Sequence, residues 1–218
     1  MRRFFMISLT VIAVIFLGYK SSYPSYSWHQ KLTVVVETPD GLRTGSSVIE
    51  ISVRFQPQIL PDASGVFNRK HGEAVVVDMG EGRYLFALIG ESNSLARRLY
   101  SDQLSGLSSK GAYRKIIQML GEVQVPLEHY PHLVTFGDVT DPASVSVVSP
   151  LNLAENFGGG VRLESITLEI TNERVTAGVI DELLGWLGEH PGTPVLPKVG
   201  IYDLSVAAKL RHGNFIRR

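Results

Sequence analysis

Lys31-Leu32-Thr33-Val34-Val35-Val36-Glu37, Thr38-Pro39-Asp40-Gly41 and Val48-Ile49-Glu50-Ile51-Ser52-Val53-Arg54-Phe55 decide the fold class. In the first stretch the even positions form an apolar face, with Thr33 and Glu37 opposite. That is the period-two alternation of a half-buried strand. The second stretch is a turn: Pro39 presets φ, Asp40 bonds locally, and Gly41 accepts positive φ. In the third, Ile49, Ile51, Val53 and Phe55 point one way, while Glu50, Ser52 and Arg54 point the other. Together they predict an antiparallel hairpin with one wet face.

Downstream, Glu73-Ala74-Val75-Val76-Val77-Asp78, the turn Met79-Gly80-Glu81-Gly82 and Arg83 to Ile89 predict a second hairpin. Its strands are nearly continuous apolar runs, so they are expected to be central and covered on both faces. Residues 56–72 carry Pro57, Pro61, Gly65 and Gly72 and read as a long exposed loop.

The middle of the chain turns helical. A helix over about 94–105 places Leu95, Leu99 and Leu104 inward and Arg97, Arg98 and Asp102 outward; a second, over about 110–122, carries Tyr113, Ile116, Ile117 and Leu120. Residues 133–137 read as a short buried strand. Asp141-Pro142 starts a helix, with Asp as cap and Pro at the first position. After Gly158-Gly159-Gly160, a flexible turn, Val161 to Thr171 forms a further strand. Helices over about 176–188, with Val179, Leu183, Trp186 and Leu187 on one face, and about 203–211 complete the pattern. The expectation is an α+β fold: antiparallel hairpins over about 30–90, then helices and a further strand, one domain behind an N-terminal apolar helix.

Around Trp28-His29-Gln30-Lys31-Leu32-Thr33-Val34 to Gly41, and again in Gly72 to Asp78, the chain resembles a family of bacterial membrane-anchored proteins of uncharacterised activity. The matching stretches are strands and turns. The resemblance implies no activity and carries over no functional residue.

Met1-Arg2-Arg3 precedes fourteen uncharged residues, in which Phe4, Phe5, Ile7, Leu9, Val11, Ile12, Val14, Ile15, Phe16 and Leu17 supply the apolar surface. A basic start before such a run is the pattern of an export signal or signal anchor. Fourteen residues span about 21 Å, short of the ~30 Å hydrocarbon core. Gly18 and Tyr19 lengthen the segment, and Arg3 and Lys20 can snorkel. Tyr19, Tyr23, Tyr26 and Trp28 are placed to form an interfacial aromatic belt. No small-x-small cleavage site closes the run, so an uncleaved anchor is expected over residues 1–19, a juxtamembrane linker over 20–29 and an extracytoplasmic domain over 30–218. Arg2 and Arg3 outweigh Lys20, which keeps the N-terminus in the cytoplasm and exports the body across the inner membrane. The alternative is cleavage and secretion as a soluble protein.

The 21 Lys+Arg balance 21 Asp+Glu, so no global field recommends nucleic acid as a partner. Without Arg2, Arg3 and Lys20 the 21 basic residues fall to 18, a body of about −3. The absence of cysteine excludes disulfides, thiolate metal sites, a thiol nucleophile and a lipoprotein anchor.

Candidate chemistry is sparse. Glu128-His129-Tyr130-Pro131-His132 holds two imidazoles and a carboxylate, the beginnings of a metal site, yet Pro131 excludes the helical two-histidine arrangement. Asp138, near Asp141, is a third candidate ligand, explained equally by turn chemistry. The expectation is therefore no metal and no cofactor, with His129, His132 and Asp138 as the candidates should one bind. His29, His71, His190 and His212 read as surface residues, and Phe215-Ile216-Arg217-Arg218 as a fraying basic tail. There is no Gly-x-Ser-x-Gly elbow or Ser-x-x-Lys motif, and Ser109-Lys110 falls in an interhelix turn. Gly158-Gly159-Gly160 lacks the Lys-Ser/Thr of a phosphate loop and leads into a strand.

These readings favour a membrane-held, non-enzymatic envelope module that binds a protein or another envelope component. The alternative is an extracytoplasmic hydrolase whose acid–base groups meet only in the fold. A third possibility is ligand carriage between sheet and helices. The anchor reading predicts full-length protein in the membrane fraction, resistant to high salt and alkaline carbonate; a mature soluble chain beginning near Trp28 would overturn it.

Overall fold

Strong alternation with a tight turn gives the longest hairpin among the described residues. β1 (Ser25–Thr38) pairs antiparallel with β2 (Gly41–Phe55) from Ser25↔Arg54 to Thr38↔Gly41, and Gly41 takes a φ of 115° at the turn. The computed structural model describes residues 20–58, 64–90, 92–188, 192–196 and 206–218; the apolar segment over residues 1–19 lies outside them. Among the described residues no helix is long and apolar enough to cross a membrane.

The described residues form a mixed α+β fold with two antiparallel sheets. The remaining strands are β3 (Val66–Glu73), β4 (Val75–Gly80), β5 (Arg83–Ala87), β6 (Glu122–Gln124), β7 (Leu133–Phe136), β8 (Val145–Val148), β9 (Arg162–Thr171) and β10 (Ile216–Arg217). One sheet runs β10-β3-β2-β1-β9-β6 and the other β4-β5-β7-β8. The helices are short: α1 (Ser92–Leu99), α2 (Ser101–Leu104), α3 (Ser109–Ile116), α4 (Ala154–Phe157), α5 (Val179–Leu183), α6 (Val206–Lys209) and α7 (His212–Phe215). Inward faces of both sheets share one apolar core, in which the rings of Phe86, Phe136 and Phe215 lie 5.5–6.0 Å apart. β7 is buried along its whole length, and the Asp141 carboxylate accepts from Ala143 N at 2.8 Å to cap the 3-10 turn Pro142–Ser144, as expected.

The sheets come into close backbone contact where β2 meets β4. A Cβ on Gly45 would lie 2.0 Å from the Val76 carbonyl oxygen, well inside any permitted contact. Only glycine allows that approach. Gly45 opposes Val34 in the middle of the hairpin's first half, so β2 is a strand from Gly41 onward and not only from Val48. In β9 the inward positions change parity between Leu163 and Ile166. The pairing with β1 shifts there, skipping Glu164, and this bulge keeps both residues on the core side.

Several expectations are corrected. Residues 66–73 are no loop: β3 pairs with β2 from Phe55↔Val66 to Glu50↔His71, although Arg69 and His71 give it little apolar pattern. β4 is an edge strand, with Asp78 exposed, while β5 is the central one. Trp28 is buried and Tyr26 half-buried, both stacked on Tyr113 at about 6 Å, so they belong to the body and not to an interfacial belt. α3 stops at Ile116, leaving Ile117 and Leu120 exposed. The 176–188 segment buries Ile180, Leu184 and Leu187, while Val179 faces solvent. The C-terminus does not fray: β10 pairs with β3, Phe215 and Ile216 are fully buried, and His212 is buried with them.

Gly45→Ala should lower unfolding free energy by about 2–3 kcal/mol in chemical denaturation, because the methyl must force β2 and β4 apart. An unchanged midpoint would place β4 elsewhere.

Candidate functional site

A cleft of about 390 Å³ opens between the sheets. Its floor comes from the inward faces of β1 and β2 through Gln30, Leu32, Ser47 and Ile49. One wall is the β3–β4 passage at Glu73–Val75 with Ala87–Gly90 after β5. The other is Leu95 and Arg98 of α1 together with Glu128–His132. The lining is mostly apolar, with Gln30, Ser47 and Glu73 buried in it and Arg98, Glu128, His129 and His132 towards its edge. The volume lies in the range of small-molecule sites.

The buried polar groups of the floor are committed to structure. Gln30 accepts from Trp28 Nε1 at 3.1 Å, and Ser47 Oγ donates to the Glu73 carbonyl at 2.7 Å. Glu73, 3% exposed, accepts with its carboxylate from Gly178 N at 2.6 Å and Ile180 N at 3.1 Å. It thus satisfies the start of α5 from a distant strand, where a local cap is missing. With its hydroxyl engaged, Ser47 is not a free nucleophile.

The rim differs. The segment following β6 is turned by Pro126 into the 3-10 turn Leu127–His129, then extended through Pro131 into β7, where Leu88 N donates to His132 O at 3.0 Å. This turn sets Glu128, His129 and His132 at the mouth of the cleft. Among the described residues no hydrogen bond or ion pair engages these three side chains. Across from them Arg98 Nη1 donates to Ser94 Oγ at 2.8 Å, half-buried and not turned outward as its helical position suggested. Lys70 reaches the Gly90 carbonyl beside the same wall.

His129 and His132 therefore share a site, but Asp138 does not join them. His132 precedes β7 and Asp138 follows it, so about 20 Å of extended chain separates them at roughly 3.3 Å per residue. Asp138 is exposed, and its carboxyl sits below the usual range because Thr140 donates to it from both N–H and hydroxyl, at 2.8 and 2.7 Å. That is turn chemistry. Among the described residues no cluster of three or more His, Asp or Glu side chains is arranged to hold a metal. His29 Nδ1 lies 2.6 Å from the Glu173 carbonyl and His71 is exposed on the outer sheet face; His190 lies outside the described residues.

Sequence inspection missed Leu32, Arg98 and Ala87–Gly90 as cleft residues. They arrive from separate segments with no shared spacing, and only the crossing of the sheets unites them.

Compared with protein families, curated proteins and solved structures, the chain matches none.

Glu73→Ala should cost about 2–3 kcal/mol, since it strands the buried Ile180 N–H and the part-buried Gly178 N–H, whereas Glu73→Gln keeps an acceptor and should cost less. Thermal melts of the two variants that coincide with the parent would show that α5 does not depend on this carboxylate.

Proposed function

We propose that this protein is a membrane-anchored, extracytoplasmic binding module that holds a small, mostly apolar component of the cell envelope in the cleft between its sheets. The observation that carries this reading is the composition of that cleft: an apolar lining under a rim where Glu128, His129 and His132 are unengaged. An apolar body buried against Leu32, Ile49 and Leu88 supplies affinity through lost water contact. Polar groups at the mouth then fix the orientation of the ligand's hydrophilic end. The anchor expected over residues 1–19 would hold this cleft close to the bilayer from which such a ligand is drawn.

A hydrolase needs an activated nucleophile as well as a pocket. The imidazoles of His129 and His132 beside Glu128 are the groups that would serve one by activating water. Ester turnover lost in His129→Ala would move the assignment to that class.

The test uses residues 20–218, because a start at Trp28 would remove the first residues of β1. This fragment should bind one equivalent of anilinonaphthalene sulfonate, an apolar probe with a polar end, read by fluorescence. Leu32→Trp fills the cleft and should weaken binding at least about tenfold, roughly 1.4 kcal/mol, with little change in melting temperature. Undiminished binding by a folded Leu32→Trp protein would rule the cleft out as the ligand site.

A further inference from the structure

The outer face of the six-stranded sheet carries a second hollow, of about 290 Å³, at the end where β1 begins. The antiparallel register builds it in two rows. Ser25 of β1 opposes Arg54 of β2, which opposes Phe67 of β3; in the next row Ser27 opposes Ser52, which opposes Arg69. Side chains directly across strands lie about 5 Å apart, so both guanidiniums, three hydroxyls and one ring share a patch. Arg54 and Arg69 are exposed, and among the described residues neither has a hydrogen bond or ion pair. Phe67 is 53% exposed, an apolar ring left in water beside two cations. The carboxylate in the row beyond, Glu50, accepts from Ser52 Oγ at 3.3 Å and faces His29 and His71 across the strands.

Position gives the patch its meaning. The expected anchor ends at Tyr19, so five residues separate it from Ser25 and reach at most about 18 Å. Part of that span is already bound to the body, since Lys110 Nζ donates to the Ser22 carbonyl at 2.6 Å while sitting 5.5 Å from the Phe55 ring. The anchored chain therefore presents this end of the sheet to the membrane. The opposite end, at the β1–β2 turn, carries Glu37, ion-paired with Arg162, and the exposed Asp40 instead.

We propose that Arg54, Arg69 and Phe67 form a docking face for the phosphate headgroups of anionic phospholipids in the membrane that holds residues 4–17. The guanidiniums pair with headgroup phosphates in fork geometry, the Ser25 and Ser27 hydroxyls donate to the remaining oxygens, and Phe67 lies at the interfacial level. This inference rests on the anchored reading above and adds to it a fixed orientation of the body on the bilayer.

The absence of cysteine lets single labels report that orientation. Full-length protein carrying a spin label at Gln56→Cys, beside the patch, or at Leu42→Cys, at the far end of β2, is reconstituted into vesicles. One set is phosphatidylcholine alone and the other contains phosphatidylglycerol at about three parts in ten. In the anionic vesicles accessibility of the label at 56 to a neutral, water-soluble nickel chelate should fall about threefold or more, with the label at 42 unchanged. Arg54→Gln with Arg69→Gln should abolish the difference, with circular dichroism confirming the fold. Equal accessibility at 56 in both vesicle types, in protein that resists carbonate, would overturn the docking face alone. Protein stripped by carbonate from both vesicle types would overturn the anchored reading and the docking face with it.

Discussion

The contact between Gly45 and the Val76 carbonyl is the constraint from which the rest of the structure follows. Two backbones meet there with no side chain between them, and a single methyl would have to displace a peptide group. That contact sets how closely β4 of the second sheet packs against β2 of the first. Beside it, Ser47 Oγ holds the Glu73 carbonyl, the Glu73 carboxylate holds the start of α5, and the Glu73 backbone pairs with Ile216 of the C-terminal strand. Four distant segments are tied to one crossing, by contacts that are either sterically exclusive or buried hydrogen bonds. Both kinds are costly to rearrange.

The cleft is a consequence of that crossing. Where β2 and β4 touch, no space remains; away from the contact the sheets diverge, and the gap is lined by whatever their inner faces present. Those faces are apolar because they continue the core. The unengaged polar groups, Glu128, His129 and His132, come from the turn before β7, because loops tolerate unsatisfied side chains at a surface. A site with an apolar interior and a polar mouth thus needs no special sequence motif. It is the ordinary outcome of two sheets diverging from one fixed point.

The outer face of the larger sheet follows a different logic. Its residues alternate with those of the core, so their chemistry was free to vary without loss of stability. They differ along the strands, with Arg54 and Arg69 free of ion pairs among the described residues where β1 begins and Glu37 paired with Arg162 near the β1–β2 turn. Under the anchored reading proposed above, that difference between the two ends is what would orient the body on the bilayer.

The sequence alone determined what depends on near neighbours. Alternation in residues 31–37 and 48–55 specified the first hairpin and its faces; Asp141-Pro142 specified a capped turn; Leu133–Phe136 specified a buried strand. Each is a matter of periodicity or local capping, readable within a few residues. Tertiary structure decided the rest. β3, with Arg69 and His71 on one face, is a strand because β2 offers it a partner, not because its own pattern demands one. Phe215 and Ile216 read as a tail, yet enter the core because β3 has an open edge. His132 and Asp138, six residues apart, are separated because an extended strand runs between them, while Leu32, Arg98 and His129 meet although nearly a hundred residues span them. Pairing and convergence of this kind depend on which surfaces remain uncovered once the local elements have formed, and that information resides in no single stretch of the chain.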